Sequence, residues 1–86
     1  MAIPKAEWIW HNGQFVKWDE ANVHITTHAL HYGSSVFEGL RAYESKNGTA
    51  ILGLAPHVRR VFDSCRILRL DLSYSPEEVS TAIVET

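Results

Sequence analysis

Arg59 and Arg60 stand just after Pro56, where the pattern predicts the start of a helix. An arginine in a first helical turn adds a fixed cation to the N-terminal dipole, and its guanidinium can grip a phosphate at two oxygens. Asp63 stands three residues before Arg66 and four residues after Arg59, spacings at which opposite charges pair on a helix surface. Arg60 has Ser64 four residues on and is read as unpaired. That makes Arg60 the candidate anion ligand and Arg59 a solvated neighbour of Asp63.

Three other groupings could carry chemistry. His24, His28 and His31 follow i, i+4, i+7 spacing. On one continuous helix they would share a face, and three imidazoles can hold zinc. The plainer reading is a set of hydrogen-bonded histidines supporting a turn, with no metal. His31-Tyr32-Gly33-Ser34-Ser35 could offer N–H and hydroxyl donors to an anion, but its single glycine and missing Lys-Ser/Thr make it no P-loop. Phe37, Gly39 and Arg41 would share one face of an extended strand, with Glu38 and Leu40 on the other. A glycine there lets something approach the backbone closely, and sheet packing explains the pattern equally well.

The elements that must position these groups are short. Trp8 to His11 and Gln14 to Trp18 flank Asn12-Gly13. Asn-Gly is the strongest two-residue hairpin signal, because a type I′ turn needs positive φ at both positions. The register pairs Trp10 with Phe15 and Ile9 with Val16, on opposite faces. Apolar residues on both faces predict a hairpin inside a larger sheet. Val23 to Thr27 reads as a short strand, and Thr26 or Thr27 can cap a brief helical turn ended by Gly33. Val36 to Tyr43 reads as a strand, Ser45 to Gly48 as a second turn, and Thr49 to Leu54 as the returning strand. Pro56 suits the first helical position. Val58, Val61, Phe62, Cys65, Leu68 and Leu72 then follow helical spacing. Ser75-Pro76-Glu77-Glu78 is a capping-box start for a second helix, whose Val79, Ala82 and Ile83 share a face.

Composition removes several classes. Eight basic and ten acidic residues give a net charge of −2, no electrostatic footprint for nucleic acid. No apolar run reaches the ~20 residues of a membrane span. The 86 residues hold one cysteine, so no internal disulfide forms, and a reducing cytoplasm is the expected setting. Apolar burial contributes about 130 kcal/mol at ~25 cal/mol/Å². Ordering the chain at ~1.5 kcal/mol per residue costs about the same. That balance predicts a partner: a second copy, or a further domain of a longer protein. The second helix also runs into Thr86 without a glycine stop, as a fragment would.

Taken together, Ile9-Trp10-His11-Asn12-Gly13, the run from Thr27 to Tyr43, and His57-Val58-Arg59-Arg60-Val61-Phe62-Asp63-Ser64 resemble the N-terminal end of branched-chain amino-acid aminotransferases, in the fold-type IV, class IV pyridoxal-phosphate group. The resemblance implies an α+β fold: a small N-terminal domain over residues 1–86, with antiparallel hairpins packed against two helices, and a larger C-terminal domain elsewhere. By that resemblance Arg60 contacts pyridoxal 5'-phosphate. Tyr32, Phe37 and Gly39 line the pocket for the branched side chain, and Tyr32 serves the neighbouring subunit of a dimer. Arg41 and Glu38 lie near that pocket.

The same resemblance calls for a Schiff-base lysine and an acidic partner for the pyridine nitrogen. Lys5, Lys17 and Lys46 are the only lysines, and none stands in a matching motif. The expectation is therefore a small-domain fragment with no catalytic residue of its own, inactive alone and not holding the cofactor stably. Its parent would exchange an amino group between leucine, isoleucine or valine and 2-oxoglutarate. The competing reading is a stand-alone dimerising module that binds a small phosphate compound or a metal.

Overall fold

The computed structural model describes residues 4–86. The chain divides into two compact units, one running to Ser34 and the other formed by Ser35–Glu85.

In the first unit, β1 (Trp8–His11) pairs antiparallel with β2 (Gln14–Lys17), in the expected register of Ile9 with Val16 and Trp10 with Phe15. Asn12 and Gly13 have φ of 51° and 88°, the positive values a type I′ turn requires. The larger sheet does not form. β1 and β2 make a two-stranded sheet, and its apolar side chains stay half-buried or exposed, Trp8 and Phe15 among the exposed ones. A single 3-10 turn follows at Trp18–Glu20.

Val23 to Thr27 is a turn rather than a strand. Thr27 N–H donates to the His24 carbonyl at 3.0 Å, and His24 Nδ1 accepts the Thr26 N–H at 3.1 Å. Such local bonds give the backbone an alternative to a ladder. Thr27 then precedes the short helix α1 (His28–Tyr32), without a side-chain cap, and Gly33 ends it in the left-handed region with φ 70°.

In the second unit, residues 35–41 form no regular element, so the predicted strand from Val36 is absent over most of its length. β3 begins only at Ala42 (Ala42–Ser45) and pairs with β4 (Gly48–Ile51) across Lys46-Asn47. The Leu52 N–H donates to the Arg41 carbonyl at 3.1 Å and closes the foot of this hairpin. Earlier residues have no partner strand among the described residues. They keep the alternation without the ladder: Val36, Glu38 and Leu40 are partly buried, whereas Phe37, Gly39 and Arg41 are exposed.

Helix α2 (Leu54–Ile67) starts two residues before Pro56. Gly53 in the left-handed region, φ 67°, turns the chain into the helix, with no side-chain cap. The proline falls within the first turn, whose N–H groups have no intrahelical acceptor, so its missing donor is harmless. The helix stops at Ile67, short of Leu68 and Leu72. Arg69 adopts φ 56°, the Arg69 N–H reaches the Arg66 carbonyl at 3.1 Å, and the Leu70 N–H reaches the Cys65 carbonyl at 2.8 Å. That is a Schellman stop, with arginine in the position glycine usually holds.

Helix α3 (Pro76–Glu85) begins as expected. The Ser75 N–H donates to Glu78 Oε1, and the Glu78 N–H donates to Ser75 Oγ, both at 3.1 Å. α2 packs on α3. The buried apolar residues of the described chain all lie on these two helices: Val58, Cys65 and Ala82. With Val61, Phe62, Val79 and Ile83 half-buried, the expected faces of both helices carry the core.

Candidate functional site: a carboxylate-braced arginine in the second turn of α2

Arg60 lies in the second turn of α2, one helical step from His57 on the same face. Both meet Glu38. The imidazole Nδ1 of His57 donates to Glu38 Oε1 at 3.0 Å, and the same oxygen lies 3.4 Å from Arg60 Nη1. A carboxylate only accepts, so the His57 hydrogen facing it must be on Nδ1. The Glu38 side chain is 13% exposed and that of Arg60 67%. A largely buried carboxylate needs compensation for lost hydration; His57 supplies a hydrogen bond and Arg60 an opposite charge.

This corrects the reading of Arg60 as unpaired. Its carboxylate comes from outside the helix, where spacing along α2 gives no signal. Asp63, within helical reach of both Arg59 and Arg60, pairs with Arg66 instead. The expected Arg59–Asp63 pair therefore does not form.

The other candidate residues fall into three settings. Phe37 and Gly39 flank Glu38 in the extended segment. Phe37 is 91% exposed and lines a shallow groove with Ser35, Val36, Ser64, Ile67 and Leu68. A Cβ built on Gly39 would meet nothing within 4 Å, so packing within the chain does not require a glycine there. Arg41 is exposed and joins the hairpin foot through its carbonyl. Tyr32 belongs to the first unit, where its ring stacks on His28 with centroids 4.7 Å apart.

The histidines of the first unit take separate partners. His24 Nδ1 accepts from Thr26, both from its N–H and from Oγ1 at 2.7 Å. His31 Nε2 donates to the Ile25 carbonyl at 2.7 Å. Among the described residues, no three His, Cys, Asp or Glu side chains converge as a metal site would need. No described helix is long and apolar enough to cross a membrane. A concavity of the second unit runs between α2 and α3, lined by Arg59, Phe62 and Arg66 among others. Its basic groups sit among Asp63 and Glu77, so it offers an anion less than Arg60 does.

No protein-family model matches the chain. The branched-chain-amino-acid aminotransferase of Escherichia coli K12 is 45% identical over 82 residues, covering 95% of this chain and 26% of the relative. That of Pseudomonas aeruginosa PAO1 is 47% identical over 74 residues, covering 86% and 24%. The crystal structure of the T.th. branched-chain amino acid aminotransferase, complexed with N-(5'-phosphopyridoxyl)-L-glutamate, superposes with a TM-score of 0.92 at 51% identity, over 94% of this chain and 27% of that one. The fold and these matches place the chain in the fold-type IV, class IV aminotransferases. Within that class it corresponds to the N-terminal domain of the branched-chain-amino-acid aminotransferases. It spans about a quarter of the length of the curated relatives it matches.

Proposed function

We propose that this chain serves as the small domain of a branched-chain amino-acid transaminase and that Arg60 holds the phosphate of pyridoxal 5'-phosphate. The observation that carries the reading is the state of the Arg60 guanidinium. One nitrogen is engaged by Glu38, and the side chain is two-thirds exposed. A guanidinium presents five N–H donors in a rigid fork, so an edge remains for two phosphate oxygens. The residues present fit the group.

When bound, pyridoxal phosphate supplies the electron sink for amino transfer between leucine, isoleucine or valine and 2-oxoglutarate. This chain's residues bind and orient. Arg60 anchors the phosphate end. Phe37 offers an apolar wall suited to an aliphatic side chain, Gly39 leaves its backbone open, and Arg41 supplies a cation beside them. Tyr32, 75% exposed, is available to a second copy. None of the three lysines is placed for covalent work: Lys5 pairs with Asp19 at 3.5 Å, Lys17 ends β2 and Lys46 sits in a turn. The 86 residues therefore act with a further domain or a second copy rather than alone.

The test is a chimera in which this chain replaces the matching N-terminal segment of the Escherichia coli enzyme. It should retain pyridoxal phosphate through dialysis, seen by absorbance, and transfer the amino group of leucine. A folded chimera that loses the cofactor would overturn the reading.

A further inference from the structure

The resemblance puts Glu38 near a pocket and gives it no role toward Arg60. We propose that Glu38 is a positioning residue: its Oε1, clamped by His57, fixes the plane of the Arg60 guanidinium before any phosphate arrives. The inference rests on the phosphate reading of Arg60.

A single carboxylate oxygen accepts the His57 N–H and lies within ion-pair range of Arg60, on one helix face. His57 is the stiffer partner. Its side chain is 26% exposed, and its ring stands 3.4 Å from where a Cβ on Gly53 would lie. Glu38 is thereby held on the more enclosed side, and Arg60 reaches inward to it with Nη1 while the rest of its fork faces water. An arginine free to sample its many rotamers must be immobilised on binding, and a side chain already fixed has less freedom to lose.

Glu38 also brings a negative charge, which opposes an incoming phosphate. Oε1 already faces the His57 N–H and the Arg60 cation, and the phosphate approaches the solvent edge of Arg60, where water and salt weaken the repulsion. Positioning therefore outweighs repulsion, and the two effects predict opposite signs. Glu38 lies between Phe37 and Gly39, so the same oxygen joins the side-chain pocket segment to the phosphate-holding helix.

The experiment uses the 86-residue chain labelled with nitrogen-15. Rotation of the Arg60 guanidinium should be slow in the unmodified chain and fast in Glu38→Gln and Glu38→Ala. Glu38→Gln keeps the side-chain size, and its backbone spectrum reports that the fold is intact. Inorganic phosphate, followed at the Arg60 Nε–H, should bind roughly three- to tenfold more weakly to Glu38→Ala, within the range of pairwise couplings. Followed at the backbone amides of α2, phosphate should show no further weakening when Glu38→Ala is added to Arg60→Ala. Unchanged rotation in both Glu38 variants would overturn the proposal. So would tighter phosphate binding, or an equal loss in the Arg60→Ala background. Undiminished phosphate binding in Arg60→Ala would instead overturn the phosphate reading, while the rotation result still reports whether Glu38 fixes Arg60.

Discussion

The two long helices begin in opposite ways. α3 opens on four consecutive residues that satisfy one another: Ser75 and Glu78 exchange hydrogen bonds, and Pro76 takes the first helical position. Pro76 has no N–H to offer, and Ser75 and Glu78 use theirs on each other. α2 opens on Gly53, with no side-chain cap. Its polar partner is Glu38, which belongs to a segment of irregular backbone and reaches His57 and Arg60 from outside the helix. A helix start closed by local sequence is finished as structure. One braced from a distance keeps a cation, Arg60, turned outward with donors to spare.

The sharpest way to break this contrast is Arg60→Ala in the chimeric enzyme. Charge-assisted hydrogen bonds are worth about 1.5–3 kcal/mol each, so cofactor affinity should fall by roughly one to two decades. Arg60→Lys should recover part, because an ammonium cannot fork across two oxygens. Arg59→Ala should change affinity little. Dialysis followed by absorbance reads all three, and equal losses at Arg59 and Arg60 would erase the distinction.

Gly53→Ala tests the open start from the backbone side. A left-handed alanine costs about 1–2 kcal/mol, and its Cβ would sit in van der Waals contact with the His57 ring at 3.4 Å. Thermal unfolding should drop accordingly, and phosphate affinity with it. Ser75→Ala tests the closed start. Loss of the cap should cost about 1 kcal/mol, a fall in Tm of roughly 4–8 °C for a domain this size, with cofactor affinity untouched. A cofactor effect there would mean the two starts are not independent. The smallest effect is expected at the far end of α2. Arg69→Gly relieves a left-handed arginine and should raise stability by about 0.5–1 kcal/mol, the strain relief being partly offset by the freer unfolded chain. Unchanged or lower stability would show the Schellman stop to be unstrained.

The same contrast explains what could be read from the sequence. The Asn12-Gly13 turn, its register and the Ser75–Glu78 cap are settled by residues a few positions apart, and all appear as expected. Val36 to Arg41 has a strand's alternation, and its side chains do divide into partly buried and exposed sets. Ladder bonds, though, need a second chain segment, which local pattern cannot supply. Glu38 and His57 stand 19 residues apart. Their meeting, and with it the brace on Arg60, depends on how residues 35–41 lie against α2. Helical spacing offers Asp63 to Arg66 as well as to Arg59, and the Arg66 pair is the one that forms. Arg60, expected in the first turn, lies in the second because α2 starts at Leu54 rather than Pro56, so the dipole at the helix end does not reach it.

Cys65 gives the second unit a reporter of its own opening. It is the only cysteine in the sequence and is 5% exposed, buried alongside Val58 and Ala82 in the α2–α3 pair. An alkylating reagent reaches such a sulfur only in conformations where the helices have parted, and attacks it as the thiolate. When reclosing outpaces alkylation, the labelling rate relative to that of a free thiol gives the population of those open conformations. The residues through Ser34 contain no thiol, so the signal is confined to the unit that carries Arg60. Addition of pyridoxal phosphate should slow the labelling only insofar as its binding is linked to closure of that helix pair.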